Sequence, residues 1–281
     1  MSDQEPGGTL TVALISEVFF DADAERRLRT MLAEARAAGA ELAVLPEIPL
    51  NPWSPAGREA RDEDAEEPGG TRHQMLSRAS REAGIGVIGG AIVRAAGDGL
   101  RRNTALVFDA RGELLDSYAK LHLPEEPGFW ETSHYVPGSH PARVLHAFGL
   151  PVGVQICSDI NRPEGSHALA AGGAMAILAP RATEVRTYER WRVVFRANAL
   201  TSAAYLLSVN RPRAEGGVLL GGPTIAVAPD GTVLLETTDP LAVVRLEGAV
   251  VAAARRDYPG YLPIRARIYA DAWDDIARGS G

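Results

Sequence analysis

The sequence predicts a single α/β domain, and three observations carry that expectation. A β-prone run, a helical stripe and another β-prone run follow one another within residues 9–45, the order of a unit with parallel strand pairing. The second half repeats the rhythm over residues 151–201. No fixed-period repeat, low-complexity tract or linker divides the 281 residues.

Residues 9–15 (TLTVALI) are β-prone. Residues 21–38 follow with Leu28, Met31, Leu32 and Ala35 at i, i+3, i+4 and i+7, a helical stripe. Gly39 stands where a helix stop is expected. Residues 41–45 (ELAVL) form a strand running into Pro46 and Glu47. Residues 51–70 are polar and contain Pro52, Pro55 and Pro68, a long loop of the kind that borders sites. A helix is predicted over 71–83, then a strand over 85–93 loosened by Gly86, Gly89 and Gly90. Residues 103–108 and 113–119 make a hairpin.

In the second half, residues 151–156 (PVGVQI) are a buried strand ending at Cys157. A short helix around 164–171 leads to a second buried strand at 175–179 (MAILA). Residues 185–201 form a helix with Trp191, Val194, Phe195 and Asn198 at helical spacing, so Trp191 belongs to the core. Strands follow at 205–209, 223–228 and 232–236, the last two joined by a Pro-Asp-Gly turn. The tail after Tyr258 is polar and aromatic without a strong period. The expected organisation is a disordered start over 1–8, one domain over 9–257, and a tail over 258–281 for subunit contacts.

Apolar residues make up 46% and charged residues 23% of the chain, enough to bury a substantial core. The net charge of −7 argues against a general nucleic-acid binder. No apolar run approaches the roughly 18 residues of a membrane span, and MSDQEPGG is not a targeting signal. A single cysteine excludes an internal disulfide framework and a Cys-rich zinc site, so a reducing cytoplasm is the expected setting. The histidines show no metal-binding spacing, and GGVLLGGP is not followed by the Lys-Ser/Thr of a phosphate loop.

A lone cysteine is ordinarily a small buried hydrophobe. Here its setting points to chemistry. Three apolar strands end at polar groups, Glu47, Lys120 and Cys157, and sites in open α/β folds form at the carboxyl ends of strands. An ammonium favours thiolate over thiol. A carboxylate can take the thiol proton and later return it to a leaving amine. The ammonium, with the Ser158 backbone N–H, can hold the oxyanion of a tetrahedral intermediate. By spacing alone His122, on the same strand face as Lys120, is an alternative partner for the thiol. Asp159 can tie down the nucleophile loop, and Glu164 is a helix-start or ion-pair residue.

The motifs LAVLPEIPL, YAKLHLPEE and GVQICSDINRPE, in this order, resemble those of the nitrilase, or carbon–nitrogen hydrolase, superfamily from about Thr9 to about Pro240. The resemblance implies a four-layer α-β-β-α sandwich assembled as a homodimer or larger homo-oligomer, with no cofactor and no metal. It implies Glu47 as general base, Lys120 as the lysine and Cys157 as nucleophile. A second glutamate that positions substrate falls best on Glu131, with Glu125 and Glu126 beside it. The implied substrate is a small-molecule amide, N-carbamoyl compound or nitrile. Ser158 replaces the aromatic residue usual after the nucleophile, so the motif does not name the substrate, while Asp159 leans towards amide or carbamoyl groups. Trp53 and Trp130 are expected to wall the pocket, with Ser158 beside the nucleophile and Arg162 and Arg181 reading a substrate carboxylate. The competing class is a non-catalytic binding or assembly relative, against which the intact Glu47, Lys120 and Cys157 speak.

Overall fold

The chain alternates strands and helices twice, in the same order each time. The computed structural model describes residues 7–279, so residues 1–6 of the expected disordered start lie outside it. The first run is β1 (Thr9–Ile15), α1 (Ala24–Ala37), β2 (Leu42–Val44), the two-residue β3 (Ala65–Glu66), α2 (Thr71–Ala83), β4 (Gly86–Arg94) and the hairpin β5 (Arg101–Phe108) and β6 (Leu114–Ala119). A short hairpin follows, β7 (Glu125–Glu126) and β8 (Phe129–Trp130). The second run is β9 (Val152–Val154), α3 (Pro163–Ala171), β10 (Ala176–Arg181), α4 (Tyr188–Ser202), β11 (Tyr205–Asn210), β12 (Thr224–Val227) and β13 (Val233–Thr237). The chain then adds β14 (Leu241–Glu247), α5 (Gly248–Arg256) and α6 (Ala266–Gly279).

Two sheets result, ordered β14-β1-β2-β4-β5-β6 and β13-β12-β11-β10-β9. In each, three neighbouring strands run parallel (β1, β2 and β4; β9, β10 and β11) and an antiparallel hairpin continues the sheet, while the two-residue β3 adds a further parallel pairing to β4 in the first. The long β14 pairs antiparallel with β1 from Thr9↔Glu247 to Ile15↔Leu241.

Alternation along β1 shows why the layers stack as they do. Val12 and Leu14 face the second sheet, packing with Val152, Val154, Leu178 and Leu207. Ala13 and Ile15 face the other way, onto Leu28, Leu32 and Ala35 of α1. The second sheet carries α3 and α4 on its outer side, with Leu169, Phe195 and Ala199 on Ile177, Leu206 and Ile225. Strands covered on both faces read as continuous apolar runs, which is how TLTVALI and MAILA appear in the sequence. The expected α-β-β-α sandwich is what forms. Phe195 is wholly buried in the outer layer, so Phe195→Ala is expected to cost about 3–5 kcal/mol, read from the urea midpoint.

The tail departs from expectation. Residues 266–279 form a helix, α6, on which Ile268, Tyr269 and Trp273 share one side and none is buried. Arg267, Asp271, Asp274 and Asp275 interleave with them, which hides a short stripe from a window-based reading. The long polar loop over 51–70 holds two 3₁₀ turns, Ser54–Ala56 and Asp62–Asp64, as well as β3. Among the described residues no helix is long and apolar enough to cross a membrane.

Candidate active site

Glu47, Lys120 and Cys157 follow β2, β6 and β9, and the two sheets bring these strand ends together. Lys120 Nζ donates to Glu47 Oε1 at 2.6 Å and to both oxygens of Glu131, at 2.6 and 2.8 Å. All three side chains are wholly buried. Glu131 is thus the second carboxylate of the cluster, whereas Glu125 and Glu126 lie exposed on β7. Asn103 Nδ2 also donates to Glu47 Oε1, at 2.7 Å. Glu47 Oε2 is buried and has no hydrogen-bond partner among the described residues.

Cys157 opens a 3₁₀ turn, Cys157–Asn161, with φ at 47°, a left-handed conformation uncommon for a residue with a Cβ. Its Sγ lies 3.7 Å from the Ala182 carbonyl. Asp159 holds this turn to the lysine segment. It accepts from the Tyr118 hydroxyl at 2.8 Å, from the backbone N–H groups of Leu121 and His122 at 3.1 and 2.9 Å, and from that of Ile156 at 3.2 Å. The His122 ring also engages Asp159, at 2.8 Å. His122 is therefore committed to the loop tie and not to the thiol. Ser158 Oγ donates to the His122 carbonyl.

Electrostatics in this dry cluster follow from one ammonium facing two carboxylates. Burial disfavours the Lys120 ammonium, yet Glu131 and Glu47 outweigh it and hold its pKa well above the ordinary lysine value. Burial pushes the Glu131 carboxyl up to about 8 against the pull of Lys120. Burial, then the Glu47 carboxylate, push the Cys157 thiol well above its ordinary range, Lys120 opposing. At rest the thiol keeps its proton and needs a base to lose it.

The raised Glu131 pKa has a consequence for stability. The unfolded carboxyl releases its proton near 4.5, while the folded one keeps it to about 8. Between those values the folded state binds more protons, so this group makes stability fall as pH rises. Glu131→Gln, which cannot titrate, is expected to flatten the decline in Tm between pH 5 and pH 8. An unchanged slope would show that the carboxyl titrates normally.

The other expected substrate contacts separate in space. Trp53 is buried beside Ile48, Phe129, Tyr135 and Val218, its ring 5.7 Å from Phe129 and its Nε1 donating to Gly128 O at 2.8 Å. Trp130 is half-buried and stacked under Arg58, 3.8 Å from guanidinium carbon to ring centroid. Arg162 is exposed at the start of α3 and does not join the cluster. Arg181 is wholly buried against α4, 5.3 Å from the Phe195 ring and 5.8 Å from the Tyr188 ring, and donates to the Pro223 carbonyl. Burial pushes its guanidinium down to about 10. Two residues beside Glu47 were not singled out by the sequence, Asn103 and Arg211. The latter follows β11 as Glu47, Lys120 and Cys157 follow their strands, and the same strand-end rule points to it.

Comparison with known proteins identifies the family. The carbon–nitrogen hydrolase family matches residues 12–255. An omega-amidase from the chloroplast of Arabidopsis thaliana is 33% identical over 77% of this chain and 60% of its own length. An omega-amidase of Danio rerio is 32% identical over 76% of this chain and 78% of its own. The solved amidase of Nesterenkonia sp. superposes with a TM-score of 0.74 at 25% identity, over 94% of this chain and 97% of that one. The chain belongs to the carbon–nitrogen hydrolase family. Within it, the chain is a cysteine-dependent hydrolase of carbon–nitrogen bonds other than peptide bonds.

Proposed function

We propose that the protein hydrolyses a small-molecule amide or N-carbamoyl compound through a thioester on Cys157, with Glu47 as general base. The observation that carries the assignment is the asymmetry of Glu47. Its Oε1 accepts from Lys120 and Asn103, while its buried Oε2 has no partner among the described residues. A carboxylate held by one oxygen leaves the other to move a proton.

With an amide, Glu47 takes the thiol proton as Sγ attacks the carbonyl carbon, and the C=O electrons move onto oxygen. Lys120 and the Ser158 N–H hold that oxyanion. Its collapse breaks the C–N bond as Glu47 returns the proton to nitrogen, and ammonia leaves. Water then attacks the thioester, giving its proton to Glu47. Collapse of the second tetrahedral intermediate releases the acid and restores the thiol. Glu131 keeps Lys120 aligned through two hydrogen bonds. Similarity to omega-amidases favours an amide over a nitrile.

The test is an ammonia-release screen over amides, N-carbamoyl compounds and nitriles, with iodoacetamide-treated enzyme as control. Because Cys157 is the one cysteine, alkylation blocks that thiol alone. Turnover is expected on amides and absent after alkylation. Turnover by alkylated enzyme defeats the mechanism, and a consistent preference for nitriles defeats the substrate class.

We also propose that the chain works as a homodimer or larger homo-oligomer, supported by the exposed Ile268, Tyr269 and Trp273 of α6. Solution scattering at micromolar concentration is expected to give at least twice the chain mass. A monomer overturns the proposal.

A further inference from the structure

We infer that Arg211, locked by Glu215, is a positioning residue that fixes the Glu47 carboxylate by gripping the main chain on which it stands. This rests on the reading of Glu47 as base.

Arg211 is wholly buried, and its donors fall on two targets. One is the turn that carries the base. Nη1 donates to the carbonyls of Glu47 and Ile48, each at 2.9 Å, and Nη2 to that of Asn51 at 2.8 Å. The other is Glu215, which accepts from Nε at 2.9 Å and from Nη2 at 2.7 Å. Glu215 in turn accepts the Trp53 N–H at 3.1 Å, so the fork is held from both sides.

The gripped turn has reason to need a grip. Ile48, next to the base, has φ at 38°, a conformation that a β-branched residue rarely adopts. The Glu47 N–H makes only a long bond, 3.4 Å to the Arg181 carbonyl. A planar guanidinium reaches three carbonyls and a carboxylate at once, as an ammonium does not. Arg211 follows a strand of the second sheet and Glu47 one of the first. The contact therefore sets the base from the sheet that also supplies the nucleophile.

Two variants test this. Arg211→Met with Glu215→Leu removes both buried charges together and so leaves no unpaired charge. Arg211→Lys keeps the charge but not the fork. In both, kcat is expected to fall at least about tenfold, a misplacement of about 1 Å costing on the order of 100-fold, with KM moving far less. The pH dependence of Cys157 alkylation by iodoacetamide is expected to shift with kcat, since the base assists thiol ionisation. If the double variant does not fold, Arg211→Lys is read the same way. Wild-type kcat and a wild-type alkylation profile overturn the inference. So does an activity loss equal to the lost folded fraction, which marks a merely structural role. Full activity in Glu47→Gln removes the base assignment itself, an outcome separate from either result at Arg211.

Discussion

Cys157→Ala is expected to leave ammonia release at background, a loss of roughly 10⁴- to 10⁶-fold. No second thiol exists in the chain to take over. Water attacking in place of sulfur would lose both the nucleophile and its placement. The fold should survive, because among the described residues the one hydrogen bond of Sγ is long, 3.7 Å to the Ala182 carbonyl. The left-handed backbone at this position, φ 47°, adds a second outcome. Cys157→Gly relieves the Cβ strain that Cys157→Ala retains, and should exceed it in stability by about 1 kcal/mol. The pair would be equally inactive and unequally stable. Activity above about 1% of wild type in either variant would contradict the nucleophile assignment.

Lys120→Met should both silence and destabilise the enzyme. Among the described residues the ammonium is the only cation bonded to the buried Glu47 and Glu131 carboxylates, which it meets at 2.6 Å. Removing one partner of a buried ion pair typically costs about 3–5 kcal/mol, because uncompensated charge remains. Two carboxylates left facing one another then share protons, so the deficit should shrink at pH 5 relative to pH 8. Adding Glu131→Gln should recover part of the lost stability and none of the activity. Urea midpoints at the two pH values check the first expectation. A variant that melts like wild type at pH 8 would show that the pair is not coupled to folding.

Glu47, Lys120 and Cys157 were legible in the sequence because each stands at the end of an apolar strand, and strand ends meet where such folds do chemistry. Glu131 was favoured over Glu125 and Glu126 by its match to the family motif, and the fold sets it alone of the three against Lys120. All three lie within a few residues, and only the turn after β8 decides which one points inward. Arg211 is a different case. Its strand-end place marks it as a candidate, but nothing local says whether such an arginine is buried across a sheet interface or left in solvent, and Arg162, after another strand, is exposed. The stripe of α6 was legible in principle, at 268, 269 and 273, but alternating charges diluted it. Element boundaries moved by a few residues where strands fray, as at β2 and β9.

The doubled β-α-β-α-β plan has a consequence for how the enzyme fails. Neither half of the chain holds the whole cluster: Glu47, Lys120 and Glu131 come from the first run and its loop, Cys157 from the second. Function resides in the seam between two similar building blocks. A slip along that seam, too small to disturb either block, separates thiol from carboxylate. Under mild denaturant the protein should therefore fall silent while its helices and sheets still report an intact fold.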